Sequence, residues 1–273
     1  YSSVVAPFFV DDAPEGLLPP TSGSVTILVV TNPSDTAASC TITYADTDGV
    51  NRTPASNTLS IPAHGTVRWR PCANDAILEG TGVTLPDMTG GVGGGSCTIT
   101  SSGTPLYGRV EMVFSDGASC SYRLATGAGN PALVVPVFKD DAPLSSSPDS
   151  LSGTSTLLCL KNIAPTATTV SLNYTDIKGN ALTPVANQFT LGAFETVAWR
   201  PCAIDPVVEA SGENVPDMLA GAYEGSVIIS SVGGALVGCV LEGDGQDIAA
   251  YLMPSAVGKG ALTAPLFIDT GDT

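Results

Sequence analysis

The sequence predicts an all-β chain made of two tandem antiparallel β-sandwiches, and three observations predict it. One apolar stretch occurs three times, as Val4-Val5-Ala6-Pro7-Phe8-Phe9-Val10-Asp11-Asp12, as Val134-Val135-Pro136-Val137-Phe138-Lys139-Asp140-Asp141, and as Leu262-Thr263-Ala264-Pro265-Leu266-Phe267-Ile268-Asp269. Pro7, Pro136 and Pro265 are successively 129 positions apart. The segments downstream of the first copy return after the second with a register of 130, so that Trp69-Arg70-Pro71-Cys72 becomes Trp199-Arg200-Pro201-Cys202 and Pro86-Asp87-Met88 becomes Pro216-Asp217-Met218. Finally, β-branched runs are cut by turn signals every eight to twelve residues or so, and no helical periodicity persists over about eleven residues. The repeats divide the chain at 1–134 and 135–273, the second ending in the third copy of the boundary strand.

The elements come in order. Ser24 to Thr31 is β-branched and nearly continuous in apolar residues, as a buried strand should be. Asn32-Pro33-Ser34-Asp35 breaks it. Ser39 to Tyr44 alternates and leads into Asp46-Thr47-Asp48-Gly49, a hairpin signal whose Gly can take a positive φ. Arg52 to Ile61 runs into the turn Pro62-Ala63-His64-Gly65, and Thr66 to Arg70 alternates again until Pro71-Cys72. A Gly-rich loop over Thr89 to Gly95 precedes strands at Cys97 to Ser101, Leu106 to Phe114 and Ser119 to Leu124. The second repeat keeps this order, with Tyr174, Asp176 and Gly179 standing where the first has Tyr44, Asp46 and Gly49. Ala73 to Leu78 and Ala203 to Ala210 read as one-turn connections. About seven short strands per repeat is immunoglobulin-like in the broad sense.

Composition narrows the function. Ten basic residues against 26 acidic give a net charge of −16, which argues against nucleic acid or an anionic lipid surface as partner. No apolar run reaches the roughly 20 residues of a membrane helix, so no membrane insertion is expected. Seven Cys in a Lys-poor chain fit an oxidising, extracellular setting, and Tyr1 is read as the residue left after removal of an export signal.

Chemistry is sparse. The single histidine, His64, falls where the second repeat has Phe194, so it reads as a turn residue rather than a base. No phosphate loop, dinucleotide fingerprint or nucleophile elbow is present. No catalytic residue, no cofactor and no enzyme is expected. Asp46-x-Asp48-Gly49 resembles the start of a calcium loop, but the second repeat places Lys178 among the ligand positions; the motif shared by both is turn chemistry, and no metal site is expected. Trp69 and Trp199 read as core plugs. Arg70 and Arg200 are expected to pair with Asp87 and Asp217, or with Asp75 and Asp205. Asn51 and Asn173 stand in glycosylation sequons.

Among the cysteines only Cys72 and Cys202 are equivalent. Cys159 aligns with Val29 and Cys239 with Arg109, both gained together, and a Cys159–Cys239 disulfide is predicted. Cys40, Cys97 and Cys120 are expected to supply one further bridge with one thiol left over.

The third copy of the boundary strand is a surplus. In one reading the middle copy serves both repeats, Val134-Val135 closing the first and Phe138-Lys139-Asp140 opening the second. Chains meeting end to end would then match Val4, Val5, Pro7, Phe8, Phe9 and Val10 of one to Leu262, Pro265, Leu266, Phe267 and Ile268 of another, a heterologous contact that grows a fibre unless it closes. Acidic, Cys-containing tandem β-sandwiches with an apolar terminal strand resemble subunits of prokaryotic extracellular fibres and surface layers. The resemblance rests on Val4 to Val10, Leu262 to Asp269 and the duplicated Trp-Arg-Pro-Cys units, and implies a passive structural homopolymer joined head to tail. The chain departs from isopeptide-linked pilins, having only Lys139, Lys161, Lys178 and Lys259. The alternative is a monomeric secreted adhesion module for glycan or calcium.

Overall fold

The computed structural model describes residues 1–10, 25–72, 85–90, 93–114, 117–139, 155–202, 215–219, 224–243 and 248–256. Among them there is no helix, and seventeen strands form four antiparallel sheets. In the first half, β1 (Ser3–Val10), β3 (Ala38–Ala45), β4 (Thr58–Ile61), β6 (Gly94–Ser101) and β9 (Ala125–Thr126) build a sheet in the order β4-β3-β6-β1-β9. Its companion holds β2 (Val25–Thr31), β5 (Thr66–Trp69), β7 (Tyr107–Val113) and β8 (Ser119–Arg123), ordered β5-β2-β7-β8. In the second half, β10 (Ala132–Lys139), β12 (Thr168–Asp176), β13 (Gln188–Leu191) and β15 (Glu224–Ser231) run β10-β15-β12-β13. The last sheet, from β11 (Ser155–Asn162), β14 (Thr196–Trp199), β16 (Leu236–Gly243) and β17 (Ile248–Leu252), runs β14-β11-β16-β17. The strand order of the first half thus recurs in the second, and the layering is consistent with a β-sandwich in each.

Alternation explains the layers. Along β3, Ala38, Cys40, Ile42 and Tyr44 are buried while Ser39, Thr41 and Thr43 are exposed, so one face turns to the core. At the centre, Trp69 Nε1 donates to the Tyr44 hydroxyl at 3.0 Å, and that hydroxyl donates to the Pro86 carbonyl at 2.7 Å. The second half repeats the relay through Trp199, Tyr174 and Pro216 at 3.1 and 2.9 Å. Both tryptophans are core plugs, each with its one donor satisfied. Phe9 meets Tyr44 edge to face at 6.4 Å, and Phe138 meets Tyr174 the same way at 6.2 Å.

The prolines of the boundary stretch have a structural place. Ala6 pairs with Cys97 and Phe9 with Gly95, so Pro7 and Phe8 together oppose Ser96 alone. Pro136 and Val137 oppose Ser226 in the same way. A bulge accommodates a residue that has no N–H to give the ladder. Close approach at the bulge also demands a glycine: a Cβ at Gly95 would lie 2.3 Å from the Ala45 carbonyl oxygen, and one at Gly225 would lie 2.4 Å from that of Thr175. β10 pairs with β15 along its whole length, from Ala132 opposite Ser230 to Lys139 opposite Glu224. The middle copy therefore belongs entirely to the second half, and the reading that split it between repeats does not hold.

The turns match their sequence signals. Asp46 accepts from Val50 N at 2.8 Å, and Asp176 accepts from Lys178 N and Asn180 N, both at 2.8 Å. His64 and Phe194 are the two described non-glycine residues at positive φ, at 56° and 58°. His64 Nε2 is 2.8 Å from Asp35 Oδ1 at the surface, a turn position as expected. A pair not anticipated is Asn32 and Asn162, fully buried, each amide holding three carbonyls at 2.7–3.4 Å where strand and loop meet.

Candidate functional site

The two halves meet across a packed junction. β1 is buried from Val4 to Val10. On one side it contributes to the first half's core; on the other it lies against β11 and β16, while β8 runs beside β17. Leu157, Cys159, Ala198, Cys239 and Leu241, all of the second half, join the core of the first, with Ile248, Ala250 and Leu252 partly buried against it. Val5 packs with Ala125 and Val237. Polar links fix the register: Thr196 N donates to the Thr47 carbonyl at 2.9 Å and its hydroxyl to the Pro7 carbonyl at 3.3 Å. Gly49, at φ +79°, lets the first half's hairpin touch the turn at Ala193, where a Cβ would come within 2.4 Å of the carbonyl oxygen.

The two halves differ in sequence where this contact requires it. Strand pairing sets Leu157 where the first half has Ile27, Ala198 where it has Arg68, Cys239 for Arg109, Leu241 for Glu111 and Leu252 for Arg123. The apolar set is covered. The charged set faces outward, with Arg109 Nε 2.6 Å from Glu111 and Arg68 3.7 Å from it, exposed pairs that contribute little to stability. The reverse holds for the boundary strands. Phe8 is 1% exposed under the second half, whereas Val137, its equivalent on β10, is 58% exposed beside Ile228 at 48%.

Val4, Val5, Pro7, Phe8, Phe9 and Val10, expected at a contact between chains, are thus enclosed within their own chain. Leu262, Pro265, Leu266, Phe267 and Ile268 lie outside the described residues, as do the doublets Asp11-Asp12 and Asp140-Asp141 and both helix-like connections. Asp46, weighed as a calcium ligand, instead binds Arg52 Nε at 2.8 Å.

All seven cysteines are free thiols, so the predicted Cys159–Cys239 disulfide is not formed. The two stand directly opposite each other on β11 and β16, a separation of about 4.5–5.5 Å between Cα atoms that a disulfide can span. Burial pushes the Cys120 thiol up to about 12, with a smaller contribution from Cys239 across the junction. The further bridge expected among Cys40, Cys97 and Cys120 cannot be Cys40–Cys97. Cys40 pairs with Ser101, four positions along β6 from Cys97, which is roughly 13 Å of strand.

A cavity of about 310 Å³ opens at the same junction, walled by Val5, Thr43, Ser96 and Thr98 of the first half and Lys161, Ile163 and Phe194 of the second. Lys161 is 3% exposed. Its Nζ donates to the Phe194 carbonyl at 2.7 Å. Burial lowers its ammonium to about 8, against smaller opposing effects of Cys97 and Asp46. Sequence reasoning passed over it because a strand lysine ordinarily marks a solvated face. The signal available was its singularity, since the equivalent position in the first half is Thr31.

Comparison with protein-family models and with curated proteins returned no match to this chain.

Proposed function

We propose that the protein is a secreted, non-enzymatic subunit of an extracellular filament or surface layer, a homopolymer joined head to tail through its terminal apolar strands. In this reading each half is an immunoglobulin-like sandwich and the pair arose by duplication. One observation carries it: β10 follows β9 across only residues 127–131 and opens the second sandwich as β1 opens the first, so the third copy of the stretch comes in the sequence where a further sandwich would begin. Residues 254–256 hold to β10 through Val134 N to the Pro254 carbonyl and Ala256 N to the Ala132 carbonyl, much as β9 holds to β1, and the third copy comes after them in sequence.

In an assembly, Leu262, Pro265, Leu266, Phe267 and Ile268 would take the place beside β6 of a neighbour that β1 holds within its own chain, exchanging like strand for like with Val4 to Val10. The exposed face around Val137 and Ile228 supports a second copy in the role that the second half plays for the first. Contacts of this heterologous kind propagate, and strand addition supplies their backbone hydrogen bonds. Negative-stain microscopy and sedimentation of the purified chain test the reading. Ordered fibres or sheets are expected, and deletion of residues 261–273 should remove them while circular dichroism keeps its β signature. A wild-type chain that remains monomeric at high concentration, or fibres that survive the deletion, would reject it.

A further inference from the structure

We propose that the cavity between the halves binds a small organic anion, its carboxylate held by the Lys161 ammonium and its short apolar body lodged against Val5, Ile163 and Phe194. Three features of the junction, none of them tied to assembly, point to such a ligand. Lys161 donates one hydrogen bond, to the Phe194 carbonyl at 2.7 Å, and its other N–H groups meet no acceptor among the described residues. A buried cation is costly unless it is paired, and Lys161 forms no ion pair among the described residues, Asp46 acting on it only at a distance. Asp46 is already occupied by Arg52 Nε and Val50 N, each at 2.8 Å.

The space beside the ammonium is of ligand size. At about 310 Å³ it lies within the range of small-molecule pockets, and its walls mix apolar side chains with hydroxyls as such pockets do. The Thr98 hydroxyl also has no hydrogen-bond partner among the described residues, which leaves it as a second donor to a carboxylate. The lysine is not needed by the turn it touches. The equivalent turn of the first half, built on His64 at the same positive φ, stands opposite Thr31 with no cation beneath it.

The protein's net charge of −16 repels anions at a distance, but that field is screened beyond about 8 Å at physiological salt. Inside the junction the ionisable groups around Lys161 are Asp46, matched by Arg52, together with Glu195, Cys97 and Tyr44. Burial holds Cys97 up to about 12 and Tyr44 well above its ordinary value, so both are neutral across the working range. Glu195 Oε2 accepts from Gly192 N. An ammonium that titrates near 8 is charged at neutral pH and loses its charge a little above it.

Isothermal titration of the full chain with hexanoate, and with 1-hexanol as its neutral counterpart, decides the matter. At pH 7 hexanoate should give a saturable one-site isotherm and hexanol one at least tenfold weaker. Lys161→Met, which keeps the length of the side chain and removes its charge, should abolish hexanoate binding. Because hexanoate stays ionised while Lys161 discharges, wild-type affinity should fall about thirtyfold between pH 7 and pH 9.5. That arm holds even if the variant fails to fold. No saturable heat up to about 10 mM hexanoate, a cavity that merely holds water, would overturn the proposal; so would equal affinity at the two pH values or in Lys161→Met.

Discussion

Lys161 shows how a single residue records the packing of two halves. Its ammonium titrates near 8 in the folded chain against 10.5 for a free lysine, with burial the first cause. Between those values the unfolded chain holds a proton that the native one has released, so stability rises with pH across that window. Below pH 8 both states are protonated and the cost of the buried charge is present in full. Lys161→Met removes that cost, and urea titrations should find the variant more stable than wild type by roughly 3 kcal/mol at pH 7, the gap closing as pH rises from 8 to 10.5. A gap that does not change with pH would mean the charge is not buried as described. The Trp–Tyr relay sets a second expectation at this scale. Tyr174→Phe leaves Trp199 Nε1 and the Pro216 carbonyl without partners in the core, and denaturant unfolding should show a loss of about 1–3 kcal/mol.

Strands β1 and β10 share a sequence pattern, a bulge and a place in their sheets, but not a neighbour. Phe8→Ala removes a ring enclosed on all sides and should cost about 3–5 kcal/mol. Val137→Ala, at the equivalent position in solvent, should change stability by no more than about 0.5 kcal/mol; equal losses would mean that the outer face of β10 is covered as well. The pair on β11 and β16 makes a covalent expectation. Exposed to oxygen or a disulfide oxidant, Cys159 and Cys239 should close, lowering the intact mass by about 2 Da until a reductant restores it. Cys159→Ser must abolish that shift. At this scale the sequence was informative about alternation: Ser39 to Tyr44, Thr66 to Arg70 and the Asp-x-x-Gly turns read directly, since a half-buried strand writes its two faces into neighbouring residues. It was incomplete at Val4 to Val10. An apolar run with both parities filled signals a strand covered on both faces, but not by what, and a second half arriving from far along the chain leaves no local mark.

Across the whole molecule, the repeat of 130 made it legible that the second half carries the same succession of segments as the first. The junction was legible only through differences between the repeats. Arg68, Arg109, Glu111 and Arg123 against Ala198, Cys239, Leu241 and Leu252 is the clearest of these, a charged face and an apolar one at matching positions. Reading the cysteines for a bridge alone obscured that they also belong to a buried face. The cavity stayed hidden for a related reason, since it is made of turns and strand edges that meet only after both halves have folded.

That difference between the faces has a further consequence: the two halves cannot trade places. A gene with its repeats in reverse order would encode the same two folds, but it would seat three guanidinium groups against an oily strand and leave an oily sheet in water. On the proposed duplication, interchangeable modules came first, and divergence at these few outward positions has since given the chain a fixed sense of direction.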